Sequence, residues 1–124
     1  MTTFGPYDTV TMVAGADLSA KQFTFVKMNT TDRTVVSAGN GEAAMGVLVN
    51  DPISGGAATV AVRGRVMVEV GTGGLTAGDN VGIDANGEAV TAASTDIIVG
   101  QCVTGAAAGG RATIDFFRGG NAEA

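Results

Sequence analysis

Arg65-Val66-Met67-Val68-Glu69-Val70 is the stretch on which the fold turns. Val66, Val68 and Val70 alternate with Arg65, Met67 and Glu69, the two-residue period of a strand with one face buried and one facing water. Outward from it the same signal recurs. Upstream, strands are predicted over 59–63, 44–49, 34–36, 23–28 and 9–13; downstream, over 80–83, 89–91, 97–103 and 112–117. Most of these runs are rich in Val, Ile and Thr, whose branched side chains suit a pleated surface better than a helix. Between them stand Asn40-Gly41, Gly55-Gly56, Gly73-Gly74, Asn86-Gly87 and Gly109-Gly110, the dipeptides of tight hairpin turns. Many short strands with such punctuation predict a small all-β domain, a β-barrel or β-tulip.

Composition agrees. At 124 residues the chain is one domain of ordinary size, able to bury roughly two thirds of its unfolded surface. The hydrophobic fraction is 45% but aromatics are only 5%, so the core is built from small side chains and leaves little room for a large ligand cavity. Charged residues make up 15%, fewer than a solvent-facing surface usually carries, so part of the surface is expected to be covered by a partner or by sister subunits. The net charge of −5 argues against nucleic acid as that partner. No apolar run approaches a membrane span, and the N-terminus has no basic start followed by an apolar centre. The single cysteine, Cys102, fits a buried apolar position in a chain made in a reducing cytoplasm.

The two halves echo each other. Gly46-Val47-Leu48-Val49 recurs as Gly100-Gln101-Cys102-Val103, and Gly55-Gly56-Ala57-Ala58-Thr59-Val60 as Gly109-Gly110-Arg111-Ala112-Thr113-Ile114. Leu18-Ser19-Ala20 is matched by Leu75-Thr76-Ala77. Either small-residue strands have converged, or two β-units of about four strands each, over 18–70 and 75–118, share one core. Residues 1–17 then form an extended N-terminal arm outside the barrel domain of 18–118, and 119–124 a flexible tail.

Chemistry is hard to find. There is no His, which removes the commonest general base, the His-activated nucleophiles and most zinc sites. A lone Cys does not make a thiol centre. Asp79, Asp84, Glu88 and Asp96 cluster in sequence, but they flank turns, where carboxylates are normally solvated, and their spacing is not that of a calcium loop. No catalytic, cofactor-binding or metal-binding residue is assigned, and the chain is expected not to be an enzyme.

What remains is binding. The arm carries Phe4, Pro6 and Tyr7 together with Thr9 and Thr11, and an extended segment of this kind can add a strand to a partner's sheet edge. A disordered terminus is the plainer reading. Arg63 and Arg65, flanking Gly64, are interface candidates because Arg is favoured at interfaces. Two exposed arginines at a bend are the plainer reading there.

The run GEAAMGVLVNDPISGGAATVAVRGRVMVEVG, followed by LTAGDNVGIDANGEAV and closing with IVGQCVTGAAAGGRATIDFF, resembles the capsid cement, or head decoration, proteins of tailed bacteriophages over roughly residues 15–117. The resemblance implies a domain on the outer surface of the virion head, working as a homotrimer that clamps neighbouring major capsid proteins and stabilises the shell. The partner would be the major capsid protein lattice, gripped through a terminus. On that reading, deleting residues 2–12 should abolish head binding and spare the fold. The rival reading is another virion or surface-binding β-module, a tail-fibre or carbohydrate-binding domain, although sugar sites usually stack aromatic rings and this chain has no Trp and one Tyr.

Overall fold

In the computed structural model, which describes residues 7–117, Arg65–Val70 extends a strand that began eight residues earlier. This strand, β5 (Ala57–Glu69), runs unbroken through Gly64, whose φ of 107° is open to glycine and strained for any other residue. The other strands are β1 (Tyr7–Ala14), β2 (Phe25–Met28), β3 (Thr34–Ser37), β4 (Gly46–Leu48), β6 (Asn80–Ile83), β7 (Ala89–Thr91), β8 (Gly100–Thr104) and β9 (Arg111–Phe116). No helix is present among the described residues.

All nine strands join one sheet in the order β1-β3-β2-β4-β5-β9-β8-β6-β7. That sheet rolls up twice. β1 pairs in parallel with β3 and antiparallel with the first half of β5, which closes a five-stranded ring. The second half of β5 pairs with β9, and a parallel bridge from Val70 to Ala89 returns β7 to the end of β5. The protein is therefore a small all-β, barrel-like fold in which two rings share one strand and divide it at Gly64.

The rings repeat each other bond for bond. Phe25 pairs with Val47 and Val47 with Ala61; Asn80 pairs with Gln101 and Gln101 with Asp115. Met28 faces Val35 as Ile83 faces Ala89. The Leu18 N–H donates to Pro52 and the Leu75 N–H to Ala106, both at 2.9 Å. Gly55 donates to Ala14 as Gly109 donates to Val70. Even backbone strain repeats: Phe23, at φ 67°, stands where the second unit has Gly78 at φ 92°.

This correspondence moves the unit boundary. Val10, Met12 and Ala14 of β1 occupy the register positions of Val66, Val68 and Val70. The first strand of each unit is thus β1 in one and the second half of β5 in the other, and each unit has five strands where about four were expected. The expected arm over 1–17 is corrected accordingly. Its residues 7–14 are a strand of the first ring, because the alternation of Val10, Met12 and Ala14 puts an apolar stripe against Val60 and Ala58. Residues 1–6 and the tail lie outside the described residues.

The apolar interior falls into two clusters. One fills the first ring: Ala14, Leu18, Val26, Val35, Leu48 and Val60, with Ala58 and Met45. The register positions of these side chains recur in the second ring, which holds Val70, Val81, Ala89, Cys102, Ala112 and Ile114 among others. The second cluster is shared between the units. It also takes in Phe25, Ala38, Ala44, Val47 and Ala61 from the outer wall of the first ring, and the Phe25 ring meets that of Phe116 at 6.1 Å. The first unit thus uses both faces of its sheet, one inward and one against its neighbour.

Candidate functional site

The carboxylates that cluster in sequence are spent on turns. Asp79 Oδ2 accepts from the Thr76 N–H and the Thr91 hydroxyl. Asp84 Oδ1 accepts from the N–H groups of Asn86 and Glu88, and Asp96 Oδ2 from that of Ala93. Burial, with Asp84 and Glu69 nearby, pushes the Glu88 carboxyl above its ordinary value. Among the described residues no three His, Cys, Asp or Glu side chains gather as a metal would need. Cys102 is buried in the second ring at the position of Leu48, and burial raises its thiol pKa, which keeps it protonated and unreactive.

The arginines flanking Gly64 are both engaged within the chain. Arg63 Nε donates to Asp8 Oδ2 at 2.8 Å across the β1–β5 ladder. Arg65 grips Asp115 with two bonds of 2.9 and 3.2 Å across the β5–β9 ladder. These pairs are exposed, so each adds little to stability. They hold the guanidinium groups flat on the outer surface on either side of the junction. The Arg65 guanidinium pulls the Asp115 carboxyl below its ordinary 3.8. A depressed carboxyl favours the fold above that value and loses its contribution as pH falls through the lower folded value. The melting temperature of Asp115→Asn should therefore fall less than that of the parent between about pH 5 and about pH 3, as read by circular dichroism.

The N-terminal candidates divide. Phe4 and Pro6 lie outside the described residues, and of Tyr7 only the backbone is placed, paired with Gly64. Thr9 and Thr11 are exposed on the outward face of β1, next to Val13, which is also exposed. The Val13 N–H leaves the β5 ladder to reach the Arg33 carbonyl, while the Ala14 N–H turns back to Gly56 on the β5 side. By that alternation Thr9 and Thr11 direct their backbone groups away from β5, and β1 meets β3 only at Val13 and Ala14. The stretch from Thr9 to Thr11 is thus a strand edge with a polar, β-branched outer face. Sequence reasoning found these two threonines, but as part of a free arm and not as the margin of a closed ring.

No protein-family model matches the chain, and no curated protein matches it. Among solved structures the fold is similar to the crystal structure of the N base of the head fiber gp8.5 of bacteriophage phi29, with a TM-score of 0.74. The alignment covers 92% of this chain and 97% of that one at 19% sequence identity. At that identity the shared property is the fold.

Proposed function

We propose that this chain is a non-enzymatic structural protein of a bacteriophage virion, seated on the outer surface of the head. There it clamps neighbouring major capsid proteins and stabilises the shell. The observation that carries this reading is the near-complete coverage, in both directions, between this chain and a base module of a phage head fiber. The all-β core of small side chains and the employment of its clustered carboxylates in turns support a binding role. A homotrimer would multiply modest contacts by avidity, and binding only to the expanded shell would stabilise that state by mass action.

The contact is assigned to the outer face and free edge of β1 at Thr9 and Thr11. The double variant Thr9→Lys/Thr11→Lys puts two long cations on that face while leaving the inward Val10 and Met12 in place. Co-sedimentation with expanded heads should weaken at least about tenfold, roughly 1.4 kcal/mol, with an unchanged melting temperature. Undiminished co-sedimentation would remove β1 as the contact.

A second reading is favoured by the neighbour's description as a base: this domain seats a fibre on the head. Stoichiometry separates the two. A clamp covers the shell in proportion to its capsomers, whereas a fibre base occupies a restricted set of sites.

A further inference from the structure

The two rings match in register but differ at one end. In the second ring Val66, Val68, Ile83 and Phe116 are at most 3% exposed, because the outer wall of the first unit lies on them. Their counterparts by register in the first ring are Val10, Met12, Met28 and Val62. Here Val10 is 37% and Met28 41% exposed, and Met12 and Val62 are half-buried. The same apolar ring end is covered in one unit and open in the other among the described residues.

We infer that residues 1–6 fold over the open end of the first ring, with Phe4 seated against Val10, Met12, Met28 and Val62. Chain connectivity supplies the occupant. Ala61, part of the cover on the second ring, stands three residues before Gly64, just upstream of that unit's first strand. The chain just upstream of β1 is residues 1–6, which contain Met1 and Phe4 and no charged side chain. Six residues reach up to about 20 Å, ample for a return onto a ring of this size. Head-to-tail stacking of a second copy is disfavoured by the wall it would offer. Asn80, Gln101 and Asp115 stand where the first unit carries Phe25, Val47 and Ala61. Polar groups on that wall would lose water without gaining partners on an apolar end. This inference goes beyond the head-binding reading and does not depend on it.

Methionine oxidation tests it with an internal standard. Met28 and Met67 are 41% and 44% exposed among the described residues, so an open end predicts near-equal rates. Mild peroxide treatment followed by peptide mass spectrometry should show Met28 oxidising at least about threefold more slowly than Met67 in the full chain. Phe4→Ser should bring the two rates together, and Phe4→Leu should keep the lag. Met45, 6% exposed, reports whether a variant has stayed folded. Equal rates in the full chain would overturn the inference. So would a lag that survives Phe4→Ser, which, if it grows with protein concentration, assigns the cover to a second copy.

Discussion

Gly100→Ala should lower the unfolding free energy by about 3 kcal/mol, and Gly46→Ala by a similar amount. Both glycines open the strand that lies between two partners, β8 between β6 and β9 and β4 between β2 and β5. A Cβ on Gly100 would run into the carbonyl oxygen of Asp115, and one on Gly46 into that of Ala61. These are backbone atoms of a paired neighbour and cannot rotate aside, so relief requires the strands to part. Denaturant unfolding followed by circular dichroism measures the loss. Gln101→Ala, one residue away and exposed, should stay within about 0.5 kcal/mol of the parent. A loss below about 1 kcal/mol in both glycine variants would show that the ladders can yield at these points.

Deleting residues 2–12 should abolish cooperative unfolding altogether, contrary to what a free arm would allow. The deletion takes Val10 and Met12 from the first ring and leaves β5 without its partner from Thr59 to Gly64. Ala58 and Val60, now fully buried, would face water. The damage does not stop there, because Phe25, Val47 and Ala61 on the wall of that ring cover the end of the second. A domain of this size is stable by only about 5–15 kcal/mol, and losing the strand that closes a ring removes a comparable amount. The expected result is a featureless thermal scan. A sharp transition within a few degrees of the parent would mean that β1 is dispensable and the first ring closes without it.

The strand pattern was legible where a face is uniformly buried. Val66, Val68 and Val70 point inward and Arg65 and Met67 outward, as the alternation requires. The echo of Gly46-Val47-Leu48 in Gly100-Gln101-Cys102 was legible because close approach to a neighbouring carbonyl demands glycine in both places. The place of β1 was not. Thr9–Ala14 and Arg65–Val70 share only their alternation, and their equivalence lies in which strands they pair with. Nor was the unbroken course of β5, since glycine in a strand reads as a stop until its neighbours hold it extended on both sides. Beyond Ile97 the apolar run reads as strand from its composition, but pairing starts only at Gly100. For the contact surface, Thr9 and Thr11 could be picked out by their setting among apolar neighbours. That Arg63 already holds Asp8 could not, because 55 residues separate them and only the closed ring brings them together.

The shared strand has a consequence for synthesis. When Gly64 has left the ribosome, every strand of the first ring exists and that ring can close. The second half of β5 follows at once, but its main partner, β9, is made about fifty residues later. At translation rates of roughly 5–20 residues per second that is an interval of about 3–10 s. Through it Val66, Val68 and Val70 stay tethered to a finished barrel with nothing to cover them. Nascent chains on one messenger are therefore most exposed to mutual sticking in this window, and slow codons between β5 and β9 would lengthen it.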